Sequence, residues 1–318
     1  MRILFFGTPE CAAVTLQSLI RSGHEIALVV TQPDRPSGRG KTSSPSPVKA
    51  MALTIGLETA TPTSLGSPEF AGLLQRHKPD LAVVIAYGRI IPAPLLSVPQ
   101  HGMLNIHFSL LPKYRGAAPI HAAICQGETE TGITIFKLVP ELDAGTMLVQ
   151  QKTSIHPTES TGDLEARLTR MGCLAIEQAI TIIDSGRAQY TEQDHSLATM
   201  APRLQKQDGL IDWGKTPQQL IDFVRAMDPW PVAHASLYTP GDDTPMRINI
   251  YRLENADMLI PQSAAPGQVV VADRHQLVVA CGGGGINIKN LQVPGKKRMD
   301  AEAFLRGNRI EMDARFRS

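Results

Sequence analysis

Asn105 and His107 stand two positions apart in the stretch GMLNIHFSLLPKYRGAAP, residues 102–119. On a strand, positions i and i+2 face the same way. Ile106 would then point into a core while the amide and the imidazole point out together. An amide donor beside an imidazole can bind one developing oxyanion, and one such donor typically lowers a transition state by about 2.7–4 kcal/mol. An isolated Asn-x-His is more often a pair of hydrogen-bonded polar residues at a strand end, but its neighbours add to it. Ser109-Leu110-Leu111-Pro112 follows with a hydroxyl, backbone amides, an apolar wall and a fixed turn. Gly116-Ala117-Ala118 leaves room for a ligand or another backbone to approach closely. Asp143-Ala144-Gly145 follows a further strand, and a carboxylate there would orient His107 and favour its cation. The alternative is an ordinary turn built from an Asp and its glycine.

Two other stretches are cationic. TQPDRPSGRGKTSSPSPVK carries Arg35, Arg39, Lys41 and Lys49 against Asp34. Its prolines and glycines argue against a helix, and a basic loop of this kind either grips phosphates or is simply a solvated surface. NIKNLQVPGKKRMDAEAFLRGNR holds Lys289, Lys296, Lys297, Arg298, Arg306 and Arg309 against Asp300 and Glu302. A barrel edged with such cations suits single-stranded or structured RNA, and equally describes a charged rim. Trp230, between two prolines in DPWPVA, reads as a rigid packed corner. GTPECA after the first strand has one of the three glycines of a dinucleotide fingerprint, so it reads as a tight turn.

The elements that must position these groups alternate. ILFF (3–6), IALVVT (26–31), LAVVIA (81–86), MLNI (103–106) and GITIFKLV (132–139) read as strands. Thr8 is placed to cap a helix that Pro9 begins and Gly23 ends. FAGLLQR (70–76) and AAPIHAAICQG read as further helices. Val/Ile-rich runs between helices imply an open, mainly parallel, Rossmann-like α/β sheet, whose ligands bind beyond the carboxyl ends of the strands. The period lapses over 190–208, read as a linker. PQQLIDFVRAM (217–227) is then a helix. VAHASLY, MRINIYRL, QVVVA, QLVVAC and INIKNLQ are short strands of a small barrel.

Composition agrees with two domains, since the chain has 318 residues and a domain takes about 100–200. Basic and acidic residues nearly cancel, 31 against 30, so any nucleic-acid surface is a local patch. The four cysteines are far apart and suggest neither a disulfide framework nor a metal site. No run reaches the ~18 apolar residues of a membrane span, so a cytoplasmic protein without a membrane partner is expected.

These residues together resemble the methionyl-tRNA formyltransferases over nearly the whole chain. The resemblance runs through FFGTPE, TQPDRPSGRGK, SPVK, AYGRIIP, NIHFSLLPKYRGAAPI and ELDAG, and on through QKQDGLIDW, VRAMDPWPVA and LQVPGKKRM. It implies a formyltransferase fold over 1–189, a linker over 190–208 and an OB-like barrel over 209–318. It implies Asn105, His107 and Asp143 as the catalytic set. Ser109, Leu110, Leu111 and Pro112, with the backbone near Arg89, Ile90 and Ile91, become the folate site. Arg35, Arg39 and Lys41 become a loop entering the tRNA acceptor region. Lys206 in the linker and Lys296, Lys297 and Arg298 on the barrel become further tRNA contacts. Two residues depart from the family pattern: Phe108 where many relatives are small, which would reshape the pocket floor, and Cys11 where GTPEF is usual.

The implied reaction carries a formyl group from 10-formyltetrahydrofolate to the α-amino group of initiator methionyl-tRNA, on a monomer and without a metal. Asn105 and a protonated His107 would hold the developing oxyanion, with Asp143 fixing the imidazole. A formyltetrahydrofolate hydrolase or a sugar-nucleotide formyltransferase leaves the basic loop idle. A tRNA-binding protein without activity leaves Asn105, His107 and Asp143 idle.

Overall fold

The computed structural model of the protein describes residues 1–37, 42–240 and 244–317. The chain forms two compact units. The first comprises Met1–Pro119, Glu130–Ser154 and Glu165–Pro202, and the second comprises Ile120–Thr129, Ile155–Leu164 and Arg203–Ser318.

The strands of the first unit are β1 (Arg2–Gly7), β2 (Glu25–Val30), β3 (Arg35–Ser37), β4 (Thr42–Ser44), β5 (Thr59–Ala60), β6 (Leu81–Ile85), β7 (Met103–His107), β8 (Glu130–Lys137) and β9 (Met147–Ser154). Seven of them make one sheet in the order β5-β2-β1-β6-β7-β8-β9. It is parallel from β5 to β7 and antiparallel from β7 to β9. Residues 3–6 of β1 and all of β6 are buried, the mark of strands covered on both faces. Leu4, Phe6, Val30 and Val84 pack with Phe70 and Leu74 of a helix over Pro68–Arg76. The expected mainly parallel sheet is therefore present, with an antiparallel edge.

Several local expectations change. The first helix runs over Glu10–Arg21 with Pro9 at its cap and no side-chain cap bond. Thr8 instead donates its hydroxyl to the Tyr87 carbonyl at 3.1 Å. The stretch over 32–47 is not all loop, because β3 and β4 pair antiparallel. Lys49 lies in a helix over Pro47–Thr54 and is ion-paired to Asp34 at 2.7 Å. The 24-residue helix Thr161–Asp184 has no counterpart among the sequence expectations. It meets β7 where a Cβ at Gly172 would come within 2.9 Å of Ile106 Cγ2. That glycine allows a close approach between helix and sheet.

The second unit contains a helix over Pro217–Ala226 and strands β10 (Ala233–Tyr238), β11 (Met246–Asn255), β12 (Val269–Ala272), β13 (Leu277–Cys281), β14 (Gly284–Gln292), β15 (Met299–Asp300) and β16 (Arg315–Arg317). The sheet is antiparallel in the order β12-β13-β14-β11-β10-β16, with β15 on β14. Its two ends meet: Phe316 donates its amide to Gly267 at 2.8 Å, and Val269 donates to Ala314 at 2.9 Å. A nearly closed barrel results. Ile248, Ile250, Ile286 and Ile288 alternate with more exposed neighbours and fill it. Trp230 is 49% exposed, so the packed corner read from the sequence leaves about half of that residue in solvent.

Candidate active site

β7 carries Asn105 and His107 to the carboxyl end of the parallel strands. Asn105 stands opposite Phe136 of β8 and His107 opposite Thr134, so these four side chains share one face of the sheet. Ile106 takes the other face, against the long helix. Phe108 lies on that helix side too, 3.7 Å from the position of a Gly172 Cβ. It therefore packs behind the sheet and does not form the floor of a pocket beside His107. The Asn105 amide is half-buried and, among the described residues, makes no side-chain hydrogen bond. His107 is 6% exposed, with the edge of its ring against Phe136 at a centroid distance of 6.2 Å. It is a buried group rather than one pointing out to solvent.

The structure brings Asp143 to His107. Asp143 Oδ2 lies 3.8 Å from His107 Nδ1 and accepts the Gly116 amide at 2.7 Å. His107 Nε2 is 2.9 Å from the Tyr114 carbonyl. A carbonyl only accepts, so Nε2 carries the proton and Nδ1 is the basic nitrogen of the neutral ring. Burial pulls the imidazole below the ordinary histidine value, while the Asp143 carboxylate and the Tyr114 carbonyl oppose that pull. Desolvation wins, so the resting ring is neutral near pH 7. The expectation of a resident imidazolium is corrected on that ground. Asp143 has φ +48°, in the left-handed region. Gly145 has no such φ, but a Cβ there would collide with the Lys137 carbonyl. The Asp-Ala-Gly turn is pressed directly onto β8.

The loop over Ser109 to Pro112 is fastened from below. Ser109 is fully buried and donates its hydroxyl to the Lys113 carbonyl at 2.7 Å, so that hydroxyl is already used. Thr134 donates to the Ser109 carbonyl at 2.7 Å and accepts the Leu111 amide at 3.2 Å. Gln150 donates to the Leu111 carbonyl at 2.9 Å. Leu111 is buried, while Leu110 and Pro112 are half-buried and present the loop's apolar surface. The segment after β6 divides its residues. Arg89 donates to the carbonyls of Pro62 and Thr63 at 2.9 and 2.7 Å. Ile90 is 79% exposed, and Ile91 is buried in the core with Tyr87.

Comparison with known proteins decides the family. The formyl transferase family model matches residues 1–180, and the formyl transferase C-terminal domain model matches residues 203–309. A methionyl-tRNA formyltransferase of Geotalea uraniireducens is 44% identical over 310 residues, spanning 98% of this chain and 96% of that one. The methionyl-tRNA formyltransferase of Methylococcus capsulatus is 43% identical over 310 residues, 98% of each chain. The chain belongs to the methionyl-tRNA formyltransferase family. Among solved structures, the sugar 3N-formyl transferase WlaRD, determined with dTDP and 5-N-formyl-THF, superposes with a TM-score of 0.65 at 18% identity over 93% of this chain and 99% of that one. HypX from Aquifex aeolicus in complex with tetrahydrofolic acid superposes with a TM-score of 0.64 at 17% identity. That match covers 96% of this chain and 47% of HypX. These two likenesses are of fold.

Within the family frame, the remaining sequence candidates fall into separate groups. Arg35 stands in β3, and Arg39 and Lys41 lie outside the described residues. Lys206 is exposed in the turn Lys206–Gly209 of the second unit. Lys296 and Lys297 are exposed and have no side-chain partner among the described residues. Arg298 is committed: it stacks on Tyr251 at 4.2 Å, pairs with Asp228 at 3.2 Å and donates to Asn290. Cys11 is buried, and its thiol is pushed up to about 12 by burial and then by Glu165, so it is inert packing.

Sequence reasoning missed the residues that support the site. Thr134 and Gln150 pair across β8 and β9 and are legible only once the register is known. Arg115 is buried and donates to Gln193 and to His195 Nδ1. Within the first unit, residues 191–201 are stitched to the rest by bonds from Arg115 to Thr199, from Ala201 to Arg115 and between Met147 and Thr191. A segment without hydrophobic period gives no local sign of that docking.

Proposed function

We propose that the chain transfers the formyl group of 10-formyltetrahydrofolate to the α-amino group of initiator methionyl-tRNA, for translation initiation. The observation that carries the site assignment is the 3.8 Å approach of Asp143 to His107 Nδ1, with the Asn105 amide on the same strand face. The full-length likeness to methionyl-tRNA formyltransferases, through both units, supports the acceptor.

In this reading the α-amine adds to the formyl carbon, a new C–N bond forms, and an electron pair moves onto the formyl oxygen. The Asn105 amide N–H donates to that oxygen. His107 Nδ1 takes the proton that the amine loses, and the Asp143 carboxylate stabilises the imidazolium so formed. Collapse restores C=O, breaks the bond to N10 and returns the proton from His107 to that nitrogen. An α-amino group has a pKa of about 7.7–8.0 in peptides. An adjacent ester lowers it, so a large neutral fraction is present near pH 7 and no covalent enzyme intermediate is required. Alignment of the two substrates supplies much of the remaining acceleration.

Leu110, Leu111 and Pro112, held by Thr134 and Gln150, and the backbone at Arg89, Ile90 and Ile91 would line the folate site. Ser109 contributes through its backbone. Arg35, Arg39, Lys41, Lys206, Lys296, Lys297 and Arg298 would meet RNA phosphates, with 1–189 as the catalytic domain and 209–318 as the tRNA-holding one. A cytoplasmic monomer accompanies this reading. Among the described residues no helix is long and apolar enough to cross a membrane, and sedimentation of the purified chain tests the monomer.

One experiment separates the readings. 10-Formyltetrahydrofolate is supplied with charged initiator tRNA, with water alone or with an amino-sugar nucleotide, and the fate of the formyl group is followed. Formyl-methionyl-tRNA is expected. Formate without an acceptor would make the chain a hydrolase, and transfer to the sugar would make it a sugar formyltransferase. Tight tRNA binding without turnover would leave a binding protein.

A further inference from the structure

We infer that Gln193 is a positioning residue that holds the Asp143 turn in register with His107. The inference rests on the reading of Asp143 and His107 as the reacting pair. Gln193 is 4% exposed. Its Nε2 donates to the carbonyls of Asp143 and Gly145, both at 2.8 Å. Its Oε1 accepts from Arg115 Nε at 3.2 Å and Nη2 at 2.7 Å. All four hydrogen-bonding positions of the amide are thereby used. The amide orientation is fixed too, because turning it over would set its oxygen against two carbonyls and its NH2 against a guanidinium.

The position is demanding. Asp143 sits in the left-handed region at φ +48°, which Asp visits more readily than most non-glycine residues but which still favours a turn held by its neighbours. Two anchors hold it. One is the Gly116 amide on Asp143 Oδ2. The other is the Gln193 amide on the two turn carbonyls. Arg115, next to Gly116 in sequence, joins the anchors through Gln193 and is itself tied to the 191–201 segment by its backbone. Among the described residues, the titratable and charged groups in contact with this node are Asp143 and His107 on one side and Arg115 and His195 on the other. A glutamate at 193 would keep the Arg115 contact but lose both donors. An asparagine is one methylene short. Methionine keeps the length and has neither strong donor nor strong acceptor.

The test uses the full-length protein carrying Gln193→Met or Gln193→Glu, each also combined with Asp143→Asn. The His107 imidazole is titrated by NMR, and kcat and KM for 10-formyltetrahydrofolate are measured with initiator methionyl-tRNA. In Gln193→Met the His107 midpoint is expected to fall by about half a pH unit or more as the carboxylate drifts from the ring. In both single variants kcat should fall ~10-fold or more while KM for the formyl donor stays within about 2-fold. In the Asp143→Asn background, Gln193→Met should change neither quantity further. A wild-type His107 midpoint with wild-type kcat in either folded variant would overturn the inference. So would a loss of kcat equally large with and without the Asp143 carboxylate. A lowered His107 midpoint with unchanged turnover would uphold the positioning and instead overturn the role of His107 in transfer. If Gln193→Met does not fold, Gln193→Glu decides through kcat and its dependence on the Asp143 background.

Discussion

His107 Nδ1 and Asp143 Oδ2 are 3.8 Å apart, near enough for the carboxylate to stabilise a proton on the ring and too far for a hydrogen bond already made. In the proposed mechanism the pair would receive a proton during reaction rather than hold one at rest.

Asp143→Asn removes that stabilisation and leaves the shape nearly unchanged. We expect kcat to fall by about 10²–10⁴-fold and His107 to titrate lower still. Steady-state rates across pH, with the ring followed by NMR, provide the check. Wild-type turnover in a folded variant would remove Asp143 from the mechanism.

Acid should destabilise the protein earlier than carboxylate titration alone would. Burial pulls His107, His121 and His234 below the ordinary histidine value. Their unfolded-state values lie near ~6.5, so below that pH the unfolded chain binds more protons than the native one. The contribution is intact above that point and is lost as pH falls toward the folded-state values. Each extra proton costs about 1.4 kcal/mol per pH unit over that window. Urea midpoints at pH 7.5 and 5.5 should differ. The difference should shrink in His121→Gln, which can still donate to the Trp230 carbonyl that His121 Nε2 meets at 3.0 Å. An undiminished difference would remove His121 from the account.

Thr134→Val preserves shape and deletes one hydroxyl. That hydroxyl serves Ser109, Leu111 and Gln150 at once, and Thr134 is fully buried. Stranding a buried amide costs roughly 1–3 kcal/mol. The variant should unfold at lower urea and show a raised KM for the formyl donor, because the 109–112 loop loses its floor. An unchanged KM in a destabilised variant would confine Thr134 to stability.

Lys296 and Lys297 should separate from Arg298. Replacing both lysines by alanine should leave the thermal midpoint alone. It should reduce the slope of log affinity for tRNA against log salt by ~0.7–0.9 for each phosphate no longer neutralised. Arg298→Ala should lower the midpoint, since its guanidinium stacks on Tyr251 and pairs with Asp228. A salt slope unaffected by removal of both lysines would take this turn out of the RNA surface.

Much of this architecture was legible because burial leaves local marks. The apolar runs at 3–6 and 81–85 show strands covered on both faces, and Asn105-x-His107 shows a shared strand face. The long helix bears its own mark in the sequence: Leu164, Leu168, Ile176, Ile180 and Ile183 recur at helical spacing and are buried. The Asp143–His107 meeting stays an expectation at the level of sequence because nothing in Asp-Ala-Gly says which strand it returns to. Gln193 and Arg115 could not have been paired from sequence. They are polar, 78 positions apart, and lie outside any periodic element. His107's neutral state depends on desolvation, which a sequence does not state.

The final strand, Arg315–Arg317, zips to β10 on one flank and to residues 267–269 on the other. It leaves no bare rim of amides and carbonyls at that seam for a stray peptide to zip onto. The chain is thus spared one route to sticking to copies of itself.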